Sequence, residues 1–197
     1  MNKRLIISML ALLLTSSLCF AQVSYQLNTE QSKLLITGTS SIHDWEMVVE
    51  KFSCVTAISA LNNESFSIES IDFSCLATDI KSDKKIMDNK THKALNADEH
   101  PKISFTSDEG ISINQNSKST SKGKLKIAGV QKEVELEFLV PSIEDDRFKV
   151  SGKIPIKMSD FGIEPPTAMM GTLKTGNEVT ILFDVVLQQM QTSKINE

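Results

Sequence analysis

The chain has 197 residues and a formal net charge of −4 at neutral pH. That mild acidity excludes nucleic acid as a partner, since phosphate binding needs a strongly basic surface. The length suffices for one domain with a real core.

Lys3 and Arg4 open the chain, Leu5 to Leu18 is apolar apart from Ser and Thr, and Cys19-Phe20-Ala21 follows. This pattern reads as a secretory signal peptide over residues 1–21, to be set aside from the fold. The stretch is short for a membrane-spanning helix. Cys19 raises the idea of a lipidated terminus, but bulky Leu18 stands where processing prefers a small residue, so cleavage before Gln22 is expected. A single domain over residues 22–197 remains, 176 of the 197 residues, with its charge at −6 once Lys3 and Arg4 have gone. The mature protein is expected to be periplasmic or secreted.

Val23 to Asn28 and Lys33 to Ser40 read as strands, the second with Leu34, Ile36 and Gly38 on one face. From Trp45 to Ile58, Trp45, Met47 and Val49 alternate with Glu46, Val48 and Glu50. Phe66 to Ala77 is another strand, with a bulge expected near Glu69-Ser70 where the apolar phase shifts. Cys54 and Cys75 stand in matching contexts, Phe-Ser-Cys, on either side of a turn. If those strands pair as a hairpin, the thiols become neighbours in an oxidising compartment. A disulfide there would be worth on the order of 3 kcal/mol. Two small apolar side chains in a sheet is the other reading, and both stay open.

The alternating pattern breaks once for a helix, Ser82 to Ala97, with Ser82 as N-cap and Ile86, Met87, Ala94 and Leu95 on one stripe. Lys102 to Ser107 and Ile111 to Asn114 are short strands, and Asn114 to Lys122 reads as a polar loop. Gly123 to Val140 reads as a hairpin about a two-residue turn at Gly129-Val130, setting Leu125 opposite Val134 and Lys126 opposite Glu133. Phe148 to Met158 and Glu178 to Gln189 close the set, with Pro155 marking an edge or bulge.

About eight strands with short antiparallel links suggest an all-β barrel, wide enough inside for side chains or one small ligand. The helix is too short to supply the crossovers of a parallel sheet. It is expected to cover the barrel mouth.

Several strings now stand together in order: Ser41-Ile42-His43-Asp44-Trp45, Asp79-Ile80-Lys81-Ser82, Leu95-Asn96-Ala97-Asp98-Glu99-His100-Pro101-Lys102-Ile103-Ser104-Phe105, Gly123 to Val134, Met158-Ser159-Asp160-Phe161-Gly162-Ile163 and Gly176 to Ile181. No single string is specific, but the ordered set resembles the YceI-like family across nearly the whole mature chain. The resemblance implies a lipocalin-like antiparallel β-barrel whose apolar tunnel holds a polyisoprenoid or similar long-chain amphiphile. It implies secreted bacterial proteins without established enzymatic activity. By this similarity His43 matches a family histidine on a strand, and Phe105 and Phe161 match aromatic positions. Met87-Asp88 replaces the family's frequent Arg-Asp pair.

The candidate ligand-binding residues are therefore His43, Trp45, Met47, Met87, Leu95, Phe105, Met158, Phe161, Met169 and Met170. Each methionine alone is ordinary packing; as a set, flexible thioethers suit a tunnel that adapts to a floppy hydrocarbon. Burying about ten methylenes at ~0.8 kcal/mol each gives ~8 kcal/mol before ordering costs, nominally micromolar binding. Lys84, Lys85 and Lys90, in a run that also holds Lys81 and Lys93, are either a solvated helix face or an anionic-headgroup site. The histidines His43, His92 and His100 show no metal-ligand spacing, and neither metal nor cofactor is called for. Adjacent strand residues point to opposite faces, which counts against an acid–base pair of His43 and Asp44. A carrier is the expected function. An enzyme using His43 with a distant carboxylate, or a structural module with a filled core, are the alternatives. A homodimer is left open.

Overall fold

Two-residue alternation governs most of this chain and sets one face of each strand inward. The computed structural model describes residues 23–60, 65–114, 116–144, 147–168 and 171–190. The expected signal peptide, Met169 and Met170 lie outside these residues. The strands among the described residues are β1 (Val23–Leu27), β2 (Lys33–Ser40), β3 (Trp45–Val49), β4 (Phe52–Ala60), β5 (Ser65–Leu76), β6 (Ile80–Lys81), β7 (Lys102–Ser107), β8 (Ile111–Asn114), β9 (Lys118–Ile127), β10 (Val130–Glu144), β11 (Arg147–Lys157), β12 (Thr167–Ala168) and β13 (Leu173–Gln189). Helix α1 spans Lys85–Ala94.

The strands form the eight staves of a closed antiparallel barrel. β1 and β2 lie end to end along one edge of β13, and β11 takes its other edge. The next stave is β3 with β4, then β5 with β6, then β7 with β8, followed by β9, β10 and β11. Closure pairs most of the sheet edge that would otherwise template aggregation, leaving short unpaired runs at β6 and at the end of β11. In β9, Ser121, Gly123, Leu125 and Ile127 are buried while Lys122, Lys124 and Lys126 are exposed. Each strand thus contributes every second residue to the interior.

The two ends of the barrel differ. At one end Phe148 is buried, with Tyr25 and Phe66 meeting it edge-on at centroid distances of 4.9 and 5.2 Å. Together with the buried Ile113 and Val140 they make a floor. At the other end lie α1, the β2–β3 turn and the segment from Met158 to β12.

Several expectations need correction. Helix α1 begins three residues after Ser82, because Ser82 is otherwise engaged. Its N–H and hydroxyl both donate to Asp88 Oδ1, at 2.7 and 2.8 Å, and its Oγ accepts from the Lys84 N–H. The helix ends before Ala97 in a Schellman motif: the Ala97 N–H reaches the His92 carbonyl, the Asn96 N–H reaches that of Lys93, and Asn96 takes φ of 50°.

The hairpin turn is Ala128-Gly129, with φ of 49° and 80°, the two-residue type I′ geometry. Ile127 therefore pairs with Val130, Leu125 with Lys132 and Lys124 with Glu133. Moving the turn by one residue shifts partners by two, so the inward and outward faces are kept. Gly129 suits its place twice over, since a β-carbon would also come 2.6 Å from His100 Nε2. Lys118 to Lys122, expected as loop, is strand, with buried Ser121 Oγ 3.2 Å from Ser107 Oγ.

Cys54 and Cys75 are free thiols. Cys54 pairs with Phe73 and Phe52 with Cys75, which makes the cysteines diagonal neighbours on one face. Diagonal positions are about 7–8 Å apart, beyond disulfide reach. The bulge, by contrast, falls as expected: Ala57 pairs with Ser70 and Ile58 with Ile68, leaving Glu69 extra, its carboxylate accepting from the Ser59 hydroxyl at 2.6 Å. Pro155 pairs with Thr180 on β13, while the β10 ladder stops at Lys153, so its missing N–H faces an unpaired edge.

Candidate ligand-binding cavity

Inward alternation would fill a narrow barrel, yet here a cavity of about 690 Å³ remains. This lies within the usual range of ligand pockets, about 300–1,000 Å³. The filled-core alternative is thereby set aside. Ile36, Ile71, Phe73, Ile181 and Phe183 all point inward and line the cavity, yet each is only half-buried. Their exposed surface faces empty lumen.

Three glycines hold aromatic rings against the wall. A β-carbon at Gly38 would come 2.3 Å from Trp45 Cζ2, one at Gly123 2.2 Å from Phe105 Cζ, and one at Gly152 2.4 Å from Phe183 Cζ. Trp45, Phe105 and Phe183 all line the cavity. Each ring lies across a neighbouring strand where a side chain is missing, so it widens the lumen instead of crossing it. The Trp45 Nε1–H donates to the Thr39 carbonyl at 2.9 Å and fixes the indole.

The site residues expected from sequence divide accordingly. Trp45, Met47, Met87, Leu95, Phe105 and Met158 line the cavity. The Thr91 hydroxyl donates to Met47 Sδ at 3.3 Å, tying α1 to β3. Phe161 does not line the cavity; it is buried in the short helical turn Met158–Phe161, packed against β10 and β13. The wall also holds many aliphatic and aromatic residues beyond those expected, such as Ile36 and Phe183, whose inward phase follows from alternation.

His43 lies in the β2–β3 turn and not on a strand. It is exposed at the cavity mouth, and its Nδ1 meets the Asp44 backbone oxygen at 2.7 Å. Among the described residues its partner is that backbone oxygen and not a carboxylate, so the acid–base pair is not assembled from them. Among the described residues no three of His, Cys, Asp and Glu converge as a metal site would require. Nor is any helix among them long and apolar enough to cross a membrane.

Lys84, Lys85 and Lys90 all border the cavity, and among the described residues no Asp or Glu does. Lys90 has a further duty, since its Nζ donates to the Thr167 carbonyl at 2.8 Å and latches α1 to β12. Asp88 anchors the helix start. Burial opposes its charge, but the hydrogen bonds from Ser82, with Lys81 and His92 nearby, hold its carboxyl below the usual range. The cysteines also line the lumen, where burial first, and then the charges of Asp72 and Asp79 respectively, pushes both thiols up to about 12.

The YceI-like domain matches residues 25–187, from the first stave to the last. The chain belongs to the YceI-like family. Solved structures with this fold include Burkholderia cenocepacia BcnA, at 19% identity and a TM-score of 0.60, covering 81% of this chain and 98% of that one. A polyisoprenoid binding domain from Saccharophagus degradans, implicated in plant cell wall breakdown, has 12% identity and a TM-score of 0.64, covering 85% and 99%. A Campylobacter jejuni YceI protein has 19% identity and a TM-score of 0.60, covering 73% and 84%. No curated protein matches the chain. At these identities the likeness establishes the YceI-like fold alone.

Proposed function

We propose that this YceI-like protein is a secreted carrier that holds one long apolar lipid tail, of polyisoprenoid type, inside its barrel. No bond is made or broken; capture is by transfer of hydrocarbon from water to the lumen. The observation that carries this reading is the cavity of about 690 Å³, walled chiefly by aliphatic and aromatic side chains and bordered, among the described residues, by lysines and no carboxylate. A largely hydrocarbon-lined lumen offers little to a polar substrate and much to a chain of methylenes. The structural likeness to a domain described as polyisoprenoid-binding supports the ligand class.

Lys84 and Lys85 stand where an anionic headgroup, such as a diphosphate, would emerge. Native mass spectrometry of freshly purified protein, followed by organic extraction, tests the carrier. A single co-purifying lipid is expected, and a protein that neither retains nor takes up any long-chain lipid defeats the proposal. Reversing Lys84 and Lys85 to glutamate should weaken an isoprenyl diphosphate more than the matching isoprenol. Equal loss for both removes the headgroup role while leaving the carrier.

A further inference from the structure

The two most exposed large apolar side chains among the described residues are Ile86 at 75% and Ile42 at 65%. They come from separate elements, α1 and the β2–β3 turn, yet both border the same cavity mouth. Elsewhere the exposed large apolar residues, such as Val55 and Leu76, reach only 43% and 47%. Isolated exposed apolar groups are ordinary; two protruding from one rim beside an oily opening are not.

The charges around them lean positive, although Asp44 and Asp83 are also exposed nearby. Lys84 and Lys85 immediately precede Ile86, and both are exposed at the mouth. Residues 81–93 hold five lysines against two aspartates in a chain whose net charge is −4, and one of those aspartates, Asp88, is buried. The rim that presents this patch is stitched together. The Ser41 N–H donates to the Lys174 carbonyl at 2.9 Å, the Thr175 N–H to that of Pro166 at 3.2 Å, and Lys90 to Thr167. The turn bearing Ile42 and the helix bearing Ile86 are thus joined through β12 and β13 into one surface.

We infer that the barrel docks mouth-first on an anionic lipid bilayer, Ile42 and Ile86 entering the interface and Lys84 and Lys85 resting on its headgroups. Protruding aliphatic side chains with lysines beside them suit the boundary between acyl chains and anionic headgroups. The patch is two projecting points and not the flat, packed centre of a protein interface. Docking in this pose puts the lumen against the membrane, so that a lipid tail passes between the two without crossing water. This inference rests on the cargo being a lipid, and it adds where the cargo is collected or delivered.

Co-sedimentation with vesicles tests it, using phosphatidylcholine alone and phosphatidylcholine mixed equally with phosphatidylglycerol. The wild-type chain should bind the mixed vesicles at least about tenfold more tightly, with a lead that shrinks as salt rises. Ile42→Ser with Ile86→Ser should weaken binding to mixed vesicles by about tenfold or more, with an unchanged melting temperature. Val55→Ser with Leu76→Ser, on the outer wall, should leave it intact. Wild-type protein that ignores both vesicles overturns docking and leaves the patch to a protein partner. Binding by the isoleucine variant as tight as wild type overturns it equally. Loading of the wild type from a cyclodextrin–isoprenol complex is measured in parallel. Loading without vesicle binding defeats docking and spares the carrier, and vesicle binding without loading does the reverse.

Discussion

Gly152 of β11 and Phe183 of β13 are cross-strand partners, and the ring occupies the place a side chain at 152 would take. A β-carbon there would come 2.4 Å from Phe183 Cζ and 2.2 Å from the Glu137 carbonyl oxygen. The first contact could be relieved by tipping the ring into the lumen; the second is backbone and yields little. Gly152→Ala is therefore expected to cost about 1–3 kcal/mol as an overpacking change. Lipid capacity should fall as Phe183 turns inward. Denaturant unfolding with a parallel lipid-loading assay measures both, and a variant as stable and as capacious as wild type refutes the account.

The cavity makes a second prediction. Ile181 points inward at mid-barrel, paired with Ile154 and Ile36, and is only half-buried because the cavity lies before it. Ile181→Trp has room to grow into that space, and stability should change by less than about 1.5 kcal/mol. Lipid retention should drop by at least an order of magnitude, since the ring takes the volume the tail needs. Undiminished retention in a folded variant would place the ligand elsewhere.

Alternation made the barrel legible because a strand with one face inside records that face in every second residue. The bulge at Glu69 was visible for the same reason, as a slip in phase. What alternation does not fix is partner register. In β9–β10 a choice between two adjacent turns leaves every residue on its proper face, and the sequence pattern cannot separate them. Gly129 supports either turn, and the deciding fact is that Ala128 also accepts a positive φ of 49°. The same two-residue ambiguity left the cysteine pairing open. Ile42 and Ile86 escaped notice because their significance depends on the rim that brings them together. Ala128 itself is testable. An L-residue in this region pays roughly 1–2 kcal/mol, and asparagine pays less because it tolerates the left-handed region and favours type I′ turns before glycine. Ala128→Asn should raise stability by about 1 kcal/mol in denaturant titration, and a loss would contradict the turn assignment.

The lumen thiols carry a pH signature. Both Cys54 and Cys75 are pushed up to about 12, against about 8.5 for a thiol in an unfolded chain. At neutral pH the thiolate is scarcer by roughly three orders of magnitude than in the denatured protein, so native alkylation by iodoacetamide should be correspondingly slow. A raised folded value means that stability is full below about 8.5 and is lost as pH climbs toward 12, because only the unfolded state releases the protons. Cys54→Ala with Cys75→Ala should flatten that decline in melting temperature. Rapid labelling of native protein at neutral pH would show the thiols to be solvated.

Asp88 holds the start of the helix that covers the mouth. Its one carboxylate oxygen takes both the N–H and the hydroxyl of Ser82, so one side chain fixes the chain's entry into α1. Asp88→Ala leaves the half-buried Ser82 N–H without its acceptor and should cost about 1 kcal/mol. The loss should be local, loosening α1 while the staves stay closed. Hydrogen exchange should then rise in residues 82–94 and not in β9–β13, and release of bound lipid should quicken. The carboxyl sits below its ordinary value of about 3.9, so its contribution is complete above that pH and fades as pH falls through the folded value. In the wild type, lipid release should therefore stay slow down to about pH 4 and quicken only in stronger acid. In Asp88→Ala it should be fast throughout. A release rate that does not respond to Asp88→Ala would mean that α1 does not gate the mouth.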